Sequence, residues 1–265
     1  MSHALDGVVT ALMRAVGDEI ILPRWQRLTA HEVDEKTPGD PVTIADRESE
    51  ARLSEELLSL LPGSSVIGEE AVSASPALIE RIGDGVVWII DPLDGTKNFS
   101  EGSGPFAIMV GLLIDGVSEA GWILDPRTGR LCHAVRGGGA YVDGRRIHAK
   151  RSANRLPQAA IAHYFMPEDR QADVLRRSEG RLDIVAIPRC AGEQYPRLAL
   201  GANDIALFER SYAWDHVPGA LLLEEAGGKV ARLDGTGYRA DQPSGGMIGA
   251  ASPALWEEAV RILFD

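Results

Sequence analysis

The sequence predicts an α/β or α+β fold, a layered sandwich in which sheets are covered by helices on more than one side. Three observations point there. Apolar residues recur at helical spacing in the first sixty residues, a β-branched run at 86–90 leads into several further β-rich runs, and from about residue 146 short strands and helices interleave. With 265 residues, 45% of them apolar, the chain can bury one large core or two closely joined halves. It reads as one unit, with an α+β half over roughly 1–145 and an α/β half over roughly 146–265.

The first element is an amphipathic helix over about 1–27, with Leu5, Val8, Leu12, Val16 and Ile20 on one face. A second helix over about 43–61 turns Leu53, Leu57, Leu58 and Leu61 inward and stops at Pro62-Gly63. Val66-Ile67 forms a short strand that ends at Gly68-Glu69-Glu70. The continuous apolar run over 86–90 suits a strand buried on both faces, and it delivers the chain to Asp91. Strands over 107–114, 119–124 and 131–135, punctuated by Asp115-Gly116 and by Asp125-Pro126 with Gly129, read as an antiparallel meander. Gly137-Gly138-Gly139 is a turn, because no lysine and no helix follow it as in a phosphate-cradling loop. In the second half, helices are expected over 168–177, 193–200 and 215–226, the last closed by Gly227-Gly228. Strands over 184–187, 204–208, 229–232 and 247–250 and a final helix over 253–263 complete the chain.

A formal charge of −12 argues against nonspecific binding to nucleic acid or to an anionic membrane, since the overall field repels both. A phosphate substrate would need bound cations to reverse that field locally. No apolar run approaches the roughly 18 residues that span a bilayer, and the charged start is no signal peptide, so the cytoplasm is the expected location. Cys132 and Cys190 lack metal-type spacing and are read as reduced thiols.

The most informative segment runs from Trp88 to Phe99. A buried strand there hands Asp91 and Asp94 to a tight turn, and bare acids are costly to bury unless cations partner them. Pro92 constrains the backbone and Gly95 frees it, so Asp91, the Leu93 carbonyl and Asp94 can converge on hard metal ions. Gly95 and Thr96 then open a helical turn whose amides face an anion. Glu69-Glu70, Asp215 within Trp214-Asp215-His216, and Asp46 after Val42-Thr43 are acids of the same kind. Taken singly, each also fits a helix cap or a solvated loop.

Together these segments resemble the inositol monophosphatase family of the lithium-sensitive, magnesium-dependent phosphatase superfamily. The core motif stands intact as Asp91-Pro92-Leu93-Asp94-Gly95-Thr96, and the second as Trp214-Asp215 followed by a small-residue helix ending in Glu225-Ala226-Gly227-Gly228. Val42-Thr43-Ile44-Ala45-Asp46 and Gly68-Glu69-Glu70 match in order and spacing. The resemblance implies an αβαβα sandwich of the sugar-phosphatase type, a homodimer, and two or three Mg2+ ions per site. It implies that Glu69, Asp91 and the Leu93 carbonyl hold one ion, that Asp91, Asp94 and Asp215 hold a second, and that a third sits near Glu69 and Asp46.

The implied reaction is hydrolysis of a small phosphate ester by water oriented by Asp46, Thr96 and Glu69, with Gly95, Thr96, Asp94, Asp215 and Glu209 as substrate-binding positions. Inositol monophosphate or a related polyol or sugar phosphate is the leading substrate. Histidinol phosphate, fructose bisphosphate and a 3′-phosphorylated adenosine bisphosphate are alternatives, as is a noncatalytic binding protein that kept the fold. Departures from the inositol enzymes lie in the second half. The segment Arg189 to Tyr195 replaces smaller residues, Glu209 lies one residue nearer Asp215, and Tyr212 replaces a histidine. Lys36 stands where the family often has a lysine at the site entrance, and a mobile surface lysine is the competing reading. His216 and Trp214 are assigned to hydrogen bonding and packing.

Overall fold

The structure, a computed structural model, describes residues 4–163 and 166–264. In chain order the first half comprises α1 (Asp6–Val16), β1 (Val33–Thr37), β2 (Asp40–Thr43), α2 (Ile44–Leu60), β3 (Ser65–Gly68), α3 (Glu69–Ala74), β4 (Val86–Asp94) and α4 (Thr96–Ser100). Five strands follow: β5 (Ala107–Ile114), β6 (Val117–Leu124), β7 (Leu131–Val135), β8 (Gly139–Val142) and β9 (Arg145–Ile147). The remainder is β10 (Gln158–Ile161), α5 (Glu168–Ser178), β11 (Asp183–Val185), α6 (Ala191–Leu200), β12 (Ile205–Phe208), α7 (Ala213–Glu225), β13 (Lys229–Arg232), β14 (Met247–Ala250) and α8 (Pro253–Leu263).

Strands β3 to β9 form one seven-stranded sheet in sequence order, parallel only between β3 and β4. Strands β10 to β14 form a five-stranded mixed sheet in the order β11-β10-β12-β14-β13. Leu12, Met13, Leu53 and Leu57 of α1 and α2 pack against Trp88, Ile90, Val110 and Trp122 on one face of the larger sheet. Met109 and Ile123 on its other face meet Leu198 of α6 and Leu221 of α7, which reach Ala206 and Met247 of the smaller sheet. The far face of that sheet sets Ile205 and Ile248 against Val174 of α5 and Trp256 of α8. The result is the expected αβαβα layering. Close approach at its centre depends on glycine: a Cβ on Gly121 of β6 would lie 2.7 Å from the Pro218 Cα, and one on Gly219 would lie 1.9 Å from the Tyr195 ring.

Several sequence expectations need correction. Residues 1–3 of the expected first helix lie outside the described residues. Its α-helical part ends at Val16, and a π-helical turn over Gly17–Ile21 follows. The buried face is Val9, Leu12, Met13 and Val16, whereas Val8 is 54% exposed. Val8 lies at the edge of the apolar stripe, and the face that packs inward is centred on 9, 12, 13 and 16. In α2 the inward stripe is Asp46, Glu50, Leu53 and Leu57, so Leu58 faces outward. Two acids thus occupy helical positions that pattern reading reserves for apolar residues.

Candidate active site

The chain does not turn at Asp91. Asp91 pairs with Met109 and Asp94 with Ala107, so three steps on β4 oppose two on β5 and the strand bulges around Pro92. The turn comes at Gly95, whose φ of 89° is left-handed and whose added Cβ would lie 2.9 Å from the Pro105 carbonyl oxygen. Thr96 then opens α4. Two following residues support the loop: the Asn98 amide donates to the carbonyls of Pro105 (2.7 Å) and Pro188 (2.9 Å), and Phe99 packs edge-on against Phe106.

Asp215, the third residue of α7, joins the two strand-borne aspartates, so that one carboxylate oxygen from each of Asp91, Asp94 and Asp215 lies within 4.8 Å of the others. Asp91 Oδ1 accepts the Leu93 amide at 3.0 Å, but its Oδ2 is buried without a hydrogen-bond partner. Asp94 Oδ2 accepts the amide of Gly192 at 2.6 Å, which ties the start of α6 to the end of β4. Burial, reinforced by the neighbouring carboxylates, lifts Asp91 and Asp215 well above the usual carboxylate range and Asp94 to about 6. An all-oxygen donor set with an orphaned buried carboxylate oxygen fits a hard divalent cation, which would relieve this repulsion.

Asp46 lies at the third position of α2, where its Oδ2 accepts both the amide (2.8 Å) and the hydroxyl (2.6 Å) of Thr43, the reciprocal cap of this helix. Its Oδ1 is 2.8 Å from the Thr96 hydroxyl, which also lies 3.0 Å from the Leu93 carbonyl oxygen. Burial pushes Asp46 up to about 6 against these hydrogen bonds.

Glu69 opens α3 and is not a loop residue. It lines the same cavity of about 710 Å³ as Asp91, Asp94 and Asp215 but lies outside their tight group. Its Oε1 is 2.6 Å from the Lys36 ammonium, which is also 2.7 Å from Glu70 Oε1. The reading of Lys36 as a mobile surface lysine is therefore overturned: it sits on β1 with its side chain 11% exposed. Burial works against its charge, yet the two glutamates outweigh burial and hold its pKa above the usual lysine range.

Glu209 also lines the cavity, its Oε2 paired with Arg170 of α5 at 3.0 Å and its Oε1 buried without a partner. Tyr212, 40% exposed at the rim, stacks on Trp214 with ring centroids 5.1 Å apart. His216 has the structural role expected of it. Its Nδ1 accepts the Tyr195 hydroxyl at 2.8 Å, its Nε2 donates to the Arg210 carbonyl at 3.0 Å, and burial pushes its pKa down to about 3. Neutral imidazole with both nitrogens engaged is not a proton shuttle at neutral pH. Tyr195→Phe would leave that buried nitrogen unpaired, with an expected loss of about 1–3 kcal/mol in denaturant unfolding.

Sequence reading missed Glu50 of α2, which is buried near the site, whereas Glu70, singled out together with Glu69, is largely withdrawn from solvent beside Lys36. The signal for Glu50 was present as a second acid one turn after Asp46, on the stripe that also carries Leu53 and Leu57. Cys132 and Cys190 are free and buried, as expected of reduced thiols. Among the described residues no helix is long and apolar enough to cross a membrane.

The model of the inositol monophosphatase family matches residues 3–263 of the chain. A histidinol-phosphatase of Mycobacterium tuberculosis is 33% identical over 270 residues, covering 99% of each chain. An inositol-1-monophosphatase of Bacillus subtilis is 30% identical over 234 residues, 87% of this chain and 86% of the relative. Among solved structures, an IMPase of Thermotoga maritima superposes with a TM-score of 0.81 at 26% identity, covering 98% of this chain and 96% of its own.

Proposed function

The chain belongs to the inositol monophosphatase family, and from that premise we propose a magnesium-dependent phosphomonoesterase acting on inositol monophosphate or a related small polyol or sugar phosphate. The observation that carries the reading is the meeting of Asp91, Asp94 and Asp215 from distant stretches of chain in one buried group, beside the Asp46–Thr96 hydrogen bond. In this reading Asp91, Asp94, Asp215, Glu69 and the Leu93 carbonyl hold Mg2+. Bound there, magnesium supplies charge neutralisation at the phosphoryl oxygens, a lowered pKa for attacking water and stabilisation of the leaving oxygen.

The chain's own residues do the rest. Asp46 accepts a hydrogen bond from the Thr96 hydroxyl, leaving the Thr96 oxygen free to accept a hydrogen bond from water and orient it. The amides of Gly95 and Thr96 hold the phosphate where α4 begins, and the Arg170-anchored Glu209 faces the alcohol portion. A homodimer, a cytoplasmic location and lithium sensitivity belong to the same reading.

One observation favours histidinol phosphate as a second substrate. The histidinol-phosphatase match spans 99% of both chains, and Tyr212 offers a flat ring at the cavity rim. Phosphate release should therefore be measured from inositol monophosphate, histidinol phosphate, fructose bisphosphate and 3′-phosphoadenosine 5′-phosphate, with Mg2+ and with chelator. Turnover of at least one ester in Mg2+ and background rates in chelator are expected. Undiminished turnover in chelator would end the reading.

A further inference from the structure

We infer that Glu50 is a positioning residue, which sets the place of Glu69 and through it the affinity of the site for divalent cation. The inference rests on the metal-site reading above. Glu50 stands one helical turn after Asp46 on α2 and is 7% exposed. Its two carboxylate oxygens accept the amides of Glu70 (2.9 Å, Oε2) and Ala71 (2.8 Å, Oε1), the first-turn donors of α3 that no helical carbonyl can satisfy. Both oxygens are thus committed to the backbone that carries Glu69.

The fit is tight. A Cβ on Gly68 would lie 2.3 Å from the Glu50 carboxyl carbon, so the residue before Glu69 must be glycine for the carboxylate to reach both amides. Burial pushes Glu50 up to about 7 even though two amides favour its charged form, so the fold accepts an unfavourable buried acid here. The helix that holds Asp46 against Thr96 therefore also grips the start of α3, and both halves of the candidate site are referred to one rigid element.

The test is Mn2+ binding to the full chain, followed by the paramagnetic resonance of free Mn2+, with circular dichroism to confirm folding. Glu50→Ala should weaken Mn2+ binding about 10–100-fold, the range found when groups that orient metal ligands are removed. Glu50→Gln should weaken it less, because its carboxamide oxygen still accepts one amide while its NH2 opposes the other. Gly68→Ala, which retains the Glu50 charge but pushes the carboxylate away, should weaken binding in the same direction. In a Glu69→Gln background, Glu50→Gln should have little further effect, since its influence runs through Glu69. Unchanged Mn2+ affinity in folded variants, or a full additional loss in the Glu69→Gln background, would overturn the inference. Absence of Mn2+ binding to the wild-type chain would instead remove the metal-site reading and this inference with it.

Discussion

Asp94→Asn is expected to lower kcat/KM by roughly a thousandfold while raising the thermal stability of the chelator-treated protein. The activity loss follows from removing a full charge from the group that Asp91, Asp94 and Asp215 form; losses of this order are seen when a single electrostatic stabiliser is removed. The stability gain follows from the same distances. Two unit charges about 4 Å apart repel by about 4 kcal/mol at an effective dielectric of 20, and here three acids are gathered with Glu69 adding to their field. Without cation, deleting one charge relieves that repulsion, while the Asn oxygen can still accept the Gly192 amide and keep β4 tied to α6. Each kcal/mol relieved should raise Tm by about 2–4 °C in a chain of this size. Phosphate release and thermal unfolding in chelator check the two halves separately. A variant with normal turnover would remove Asp94 from the site, and one that melts lower than wild type in chelator would mean that Asp94 serves packing more than charge.

What could be read from sequence divides along a physical line. The buried run ending at Asp91 and the aspartates three residues apart were legible because a short segment carries both, and the meander was legible because its glycines and prolines punctuate every turn. The β1–β2 hairpin was not, since Asp34, Glu35 and Lys36 form a charged, partly exposed strand with no apolar alternation. Val8 and Leu58 were misassigned for a related reason: an apolar residue beside a helical stripe is indistinguishable from one on it until the packing partner is known.

The site shows the same limit. Asp46, Glu69, Asp91, Asp94 and Asp215 could be named from local patterns, but the links that hold the site together join residues 46 to 96, 94 to 192 and 50 to 70. Each is a contact between a side chain and a distant element, often with its backbone, and backbone donors leave no trace in residue identity. Glycine is the partial exception. Gly68 and Gly95 mark places where the main chain passes too close to other atoms for a Cβ, and both border the site.

Thr96→Ala should lower kcat by about 10²–10³-fold with a much smaller change in KM, and Thr96→Ser should restore most of the loss. The hydroxyl stands between Asp46 Oδ1 at 2.8 Å and the Leu93 carbonyl oxygen at 3.0 Å, two acceptors competing for its single proton. With that proton committed, the Thr96 oxygen can only accept, which suits it to hold a water by one of its hydrogens and would be lost entirely in alanine. General acid–base assistance of this kind is worth about 10²–10⁴-fold, and its loss falls on the chemical step more than on ester binding. Serine keeps the oxygen and sheds only a methyl group, so recovery in that variant separates the hydroxyl's role from packing. Equal impairment of the alanine and serine variants would assign Thr96 to the shape of the α4 turn instead, and Asp46 would lose its connection to the attacking water.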